Sequence, residues 1–143
     1  MVTGMFSLGR TYLFRVPEGE ELLTYIKNFC KKEGIETAII NGIGTLKNPK
    51  IGYFLEEKKE YKVIPLKGSY ELISLIGNVS LKDGEPFVHA HVSLGNEEGI
   101  VFGGHLVEGE VFVAEIFLQE LKGEKIERKP TKYGLALWEE LKL

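Results

Sequence analysis

Cysteine, aspartate and histidine are all scarce in this sequence, and each scarcity removes a class of chemistry. One cysteine, Cys30, stands among 143 residues. A single thiol excludes an internal disulfide and any cysteine-based zinc cluster within one chain. Cys30 falls inside a helical pattern and reads as a buried, inert thiol. Asp83 is the one aspartate and Gln119 the one glutamine. A Ser-His-Asp set is therefore poorly supplied. Ser74, Ser80 and Ser93 lie on expected strands, with no turn resembling a nucleophile elbow. Gly42-Ile43-Gly44 lacks the third glycine and the Lys-Ser/Thr of a phosphate loop, and reads as a bulge or a close backbone approach.

Long apolar runs and basic blocks are missing too. No stretch approaches the ~20 apolar residues of a membrane span. The N-terminal MVTGMFSLGR has no apolar block ending in small residues, so no signal peptide is expected and the chain is assigned to the cytoplasm. The net charge is −3, with no run of five Lys/Arg and no Arg-Gly-Arg-Pro hook. That argues against autonomous, non-specific DNA binding, which needs basic surface. Lys122, Lys125, Arg128, Lys129 and Lys132 do gather, but Glu124 and Glu127 interleave them, and the run reads as a solvated loop.

What is present points to one folded domain over 1–143. The charges are almost all Glu and Lys, a trend of thermophilic proteins. Residues 5–16 alternate as a strand. Pro17 opens an expected helix over 18–33, with Glu18, Glu20 and Glu21 in its first turn, a stripe of Leu22, Ile26, Phe29 and Cys30, and Gly34 as its stop. Strand candidates follow: TAIINGIGTL, NPKIGYFLEE, EYKVIPL, YELISLIGNVSL, FVHAHVSL, GIVFGGHL and EVFVAEIFLQEL. The tail TKYGLALWEELKL is a short helix or an extended arm. The fold class is α+β: a mostly antiparallel β-sheet with one main helix packed on it.

All three histidines, His89, His91 and His105, lie within 17 positions. Asp83-Gly84 is a two-residue hairpin tip, which pairs Lys82 with Glu85 and sets Asn78 opposite His89. Gly-Asn-Glu-Glu-Gly (95–99) closes the next hairpin; pairing Leu94 with Ile100 sets His89 across from His105. His91 shares the face of His89. Three imidazoles on one face suit Zn²⁺ with an open fourth position, or Cu, Fe or Ni. They equally suit hydrogen-bonding or interface residues, and the two readings stay open here. Glu115 is the best carboxylate candidate, but the simplest turn at Glu108-Gly109 puts it on the opposite face, so it is left out of the ligand set. Gly103-Gly104 marks a close approach of backbone or ligand.

Gly77-Asn78-Val79-Ser80, Asp83-Gly84-Glu85-Pro86, His89-Ala90-His91 and Gly103-Gly104-His105-Leu106 together strongly resemble the PPC domain family, the plant- and prokaryote-conserved domain. GSYELISL (68–75) resembles the family's Gly-Arg-Phe-Glu-Ile-Leu segment, with Ser69 for Arg and Tyr70 for Phe. The likeness extends through the first strand, the helix and IINGIGTL. It implies a stand-alone prokaryotic member, without the AT-hooks of plant relatives, and a homotrimer with an apolar interface. The Ile39-Ile40 strand and the face of Val111, Val113 and Phe117 are the expected interface. It implies partner contacts at Gly68, Tyr70 and Glu71, metal ligation by His89, His91 and His105 with zinc as the candidate, and supporting places for Asn78, Gly103 and Gly104. The function expected first is a DNA-associated or regulatory interaction module acting as a homotrimer; the alternative is a metal-dependent small-molecule binder or enzyme that uses the three histidines.

Overall fold

In a computed structural model, which describes residues 4–139, the chain forms eight strands and one helix. These are β1 (Phe6–Val16), α1 (Leu22–Glu33), β2 (Ala38–Leu55), β3 (Glu60–Pro65), β4 (Ser69–Lys82), β5 (Glu85–Gly95), β6 (Val101–Gly123), β7 (Glu127–Pro130) and β8 (Ala136–Trp138). All named strand pairings are antiparallel except β4 with β7. The α+β expectation holds. The pairings also close on themselves, from β2 to β4 to β5 to β6 and back to β2.

The helix starts later than its sequence pattern suggests. Glu21 is not inside the first turn; it is the N-cap, accepting from the Leu23 and Thr24 N–H groups. Residues 17–20 are held out of the helix by pairing with β6: Gly19 N–H donates to Val111 O, and Val111 N–H to Glu20 O. Gly34 ends the helix in the left-handed conformation at φ 69°. Leu22, Ile26 and Cys30 are fully buried and meet Ile40, Leu75, Leu94, Leu118 and their neighbours in one core.

Two expected breaks are absent. TAIINGIGTL and NPKIGYFLEE are one strand, β2, whose pairing with β6 slips where Asn48 (φ 47°) and Pro49 interrupt it. GIVFGGHL and EVFVAEIFLQEL are likewise one strand, β6, with no turn at Glu108-Gly109. There the pre-helix segment supplies partners: Gly109 N–H donates to Glu21 Oε2, and Glu110 bridges to Glu21. Tertiary hydrogen bonds thus keep a turn-like dipeptide extended. Gly42–Gly44 is the bulge expected, since the β2–β4 register shifts there.

The tail is an extended arm. β8 pairs with β7, and Trp138 Nε1 donates to the buried Ser80 Oγ at 2.9 Å. Of the expected interface residues, Ile40 and Val111 belong to the core instead. Ile39 and Phe117 do face outward, as alternation on a half-buried strand requires.

Candidate metal centre

The site is built on β5 and the first residues of β6. Val88, Ala90, Val92 and Leu94 fill the core, so His89 and His91 project from the other face. Asp83 (φ 53°) and Gly84 (φ 76°) make the expected two-residue tip, and Lys82↔Glu85 and Asn78↔His89 pair as read from sequence. The second hairpin closes differently. Asn96 Oδ1 accepts from the N–H groups of Glu98 and Ile100, which leaves Gly95 paired with Val101. His105 therefore sits opposite His91, not His89. The slip is by an even number of residues along the partner, so it keeps His105 on the same face.

The three rings converge. Their centroids are 5.1, 5.3 and 5.8 Å apart, and one nitrogen from each lies within 4.8 Å of the others. A tetrahedral ion with Zn–N of about 2.0–2.1 Å wants nitrogens about 3.3 Å apart, a separation that ring rotation brings within reach. Burial, followed by the charge of Arg128 and the other histidines, pushes His89 down to about 4. Burial and His91 lower His105 as well. Rings held neutral keep a lone pair for a metal. His105 Nδ1 is buried with no hydrogen-bond partner among the described residues. The donor set fits an imidazole-preferring transition metal.

Sequence reasoning missed the groups around the histidines. Arg128, read as part of a solvated basic loop, is buried at 7% exposure. Its Nη2 donates to Asn78 Oδ1 at 3.0 Å and contacts His89 Nδ1 at 3.3 Å, and its Nη1 donates to Ala136 O. Its guanidinium lies against Trp138 and Phe87. Trp138 was the only available signal: an aromatic in a charged tail needs something to pack on. The rest of the basic run is as expected, with Lys125 paired to Glu36 and Lys129 to Glu127 at the surface. Tyr61 of β3 stacks on His105 at 4.8 Å.

A guanidinium only donates, so in this arrangement His89 Nδ1 accepts and the ring proton sits on Nε2. A neutral ring has one lone pair in its plane. An ion held through Nδ1 must take that pair from Arg128.

The expected supporting residues Asn78, Gly103 and Gly104 lie on the strands that carry the rings or pair with them. Asn78 reaches His89 through Arg128. At Gly103 and Gly104 the close approach is backbone: an added Cβ would stand 3.1 Å from Val92 O and 2.8 Å from Gly52 O. The expected partner-contact residues lie elsewhere, at the opposite end of β4 from Asn78. Gly68 N–H donates to Asn48 Oδ1, Tyr70 packs edge-on to Phe102, and exposed Glu71 accepts from Thr45 Oγ1. Glu115 is exposed, ten residues beyond His105 on the same strand and about 30 Å along it. It is remote by distance, not by a turn.

Residues 4–122 match the Plants and Prokaryotes Conserved (PCC) domain. The chain belongs to that family. It is the family whose histidine and glycine motifs were met in the sequence. This PCC domain is 43% identical to a metal-containing protein from Archaeoglobus fulgidus, over 98% of this chain and 100% of that one, with a TM-score of 0.93. It is 26% identical to a proposed DNA-binding protein from Bacteroides thetaiotaomicron (94% and 97% covered, TM-score 0.84). A proposed DNA-binding protein from Ralstonia eutropha shares the fold at 20% identity, with 91% of each chain covered and a TM-score of 0.80. No curated protein matches the chain. Arg128 and Trp138 lie beyond the residues that the PCC match covers.

Proposed function

We propose that this PCC domain is a metal-dependent binder of a small molecule, with an enzymatic role open to it, and that His89, His91 and His105 hold the ion. The observation that carries this is the convergence of the only three histidines of the chain on one face, within 4.8 Å at their nitrogens. The metal content of the Archaeoglobus relative supports it. A zinc-like ion held by three imidazoles keeps an open position and acts there as a Lewis acid. Tyr61 stacks on the His105 ring, and residues of the β7–β8 arm wall the cavity beside the site.

The DNA-associated reading has less behind it. The net charge is −3, Lys125 and Lys129 are ion-paired, and Arg128 is turned inward. Its support is the description given to the Bacteroides protein.

The test is metal per chain by elemental mass spectrometry on tag-free protein. We expect about one transition-metal ion per chain, and loss of it in His89→Ala and His105→Ala. Equal, near-zero metal in all three after incubation with zinc would overturn the reading.

We propose further that the domain works as a homotrimer, as its sequence resemblance implies. The support is a row of outward residues across the sheet: Leu13 pairs with Phe117, Phe117 with Asn41, Asn41 with Ile76, and Ile76 with His91. Leu13 is 80% and Ile76 68% exposed, and with Phe117 they give the row three exposed apolar side chains, of the kind that mark an interaction surface.

A further inference from the structure

Beside the histidines lies a cavity of about 230 Å³ whose walls carry two cations, Lys82 and Arg128, and, among the described residues, no acid. Arg128 is the unusual one. It is over nine-tenths buried, yet no carboxylate among the described residues is within ion-pair distance of it. Its partners among the described residues are all neutral: Ala136 O, Asn78 Oδ1 and His89 Nδ1. Its Nε is buried with no hydrogen-bond partner among the described residues. A buried charge without a counter-ion is strongly unfavourable. An anionic ligand in the adjoining cavity would supply the missing counter-ion. The opposite wall is apolar, with Phe87, Leu135 and Leu137. The volume is below the roughly 300–1,000 Å³ of drug-sized pockets, which restricts the occupant to a few heavy atoms.

We propose that this cavity is an anion subsite that takes a small organic carboxylate, its charge on Arg128 and its short hydrocarbon part against the apolar wall. The inference deepens the metal reading, since His89 and His105 line the same cavity. An ion held through His89 Nδ1 frees an Nη2 donor of Arg128, so metal and carboxylate bind together and not in competition. The guanidinium fork matches a carboxylate bidentately, which Lys cannot do.

The experiment is calorimetric titration of zinc-loaded full-length protein with butanoate and, separately, with the uncharged butanamide. Butanoate should bind and butanamide should not. Arg128→Met should weaken butanoate by about tenfold or more, with metal content no lower than wild type. Arg128→Lys keeps the charge without the fork and should fall between them, which keeps the test decisive where Arg128→Met fails to fold. Equal binding of butanoate and butanamide, or undiminished binding by folded Arg128→Met, would overturn the proposal. So would butanoate binding seen only after residues 140–143 are removed, because the chain would then be supplying its own counter-ion. The two readings fail separately: butanoate binding that needs Arg128 in a protein without metal sinks the metal centre and leaves the anion subsite standing.

Discussion

Single side chains in this domain are set by what buries them. Cys30 is fully buried and its thiol is pushed up to about 12 by desolvation, so it is the inert thiol its helical position suggested. Glu120 is a buried acid with a good partner. Its Oε1 accepts from the Arg10 N–H and Nε, and its Oε2 from Arg10 Nη2. The Arg10 side-chain bonds hold its carboxyl down to about 2. Because the folded value lies below the ordinary one, the pair stabilises the fold at neutral pH, and that contribution is lost as pH falls from about 4.5 towards 2. Urea midpoints should therefore drop across that window in wild type. Glu120→Gln should lower the midpoint at pH 7 and flatten the drop; an equally steep loss in the variant would place acid sensitivity elsewhere. Arg128 is the opposite case, a buried charge with no acid paired to it among the described residues.

At the scale of the element, the hairpins decide where the imidazoles stand. The Asp83-Gly84 tip is fixed by its two positive φ values, and its register was readable from two residues. The loop after β5 was not, because Asn96 closes it through its side chain. Gly77 is the position that most constrains β4 against β5. A Cβ there would meet the carbonyl oxygen of His89 and the Cα of Ala90. Gly77→Ala should cost about 2–4 kcal/mol in stability, by forcing strands apart that pack at native density. Its metal content should fall with it, since the displaced residue carries the ligand. Chemical denaturation and elemental analysis of the one purified variant check both. A stable Gly77→Ala with full metal would mean that β5 shifts without cost to the site.

For the whole molecule, the outward apolar row and the site share a strand position. Ile76 is the cross-strand neighbour of His91. If copies of the chain meet along this row, Ile76→Lys should yield a smaller species in light scattering or sedimentation, while circular dichroism stays that of wild type, because Ile76 is exposed in the single chain. Wild type and Ile76→Lys running at one mass would exclude this face as the interface. Among the described residues no helix is long and apolar enough to cross a membrane.

The α+β class, the helix stripe, the first hairpin and the shared face of the histidines were all legible in the sequence, since each depends on local periodicity and turn chemistry. Parity protected the last of these: the register slipped by two, and an even slip preserves the face. The continuity of β2 and β6, the late start of α1 and the burial of Ile40 and Val111 were not legible. Each depends on hydrogen bonds or packing between segments far apart in the chain. The same holds for the charge at the site. Arg128 sits in a lysine- and glutamate-rich run and looks solvated there; only the β7–β8 arm, pinned by Trp138 on Ser80, carries it inward to Asn78 and His89. Local pattern determined which residues could bind a metal. Tertiary structure alone decided what surrounds them, because burial belongs to the fold and is written in no short stretch of sequence.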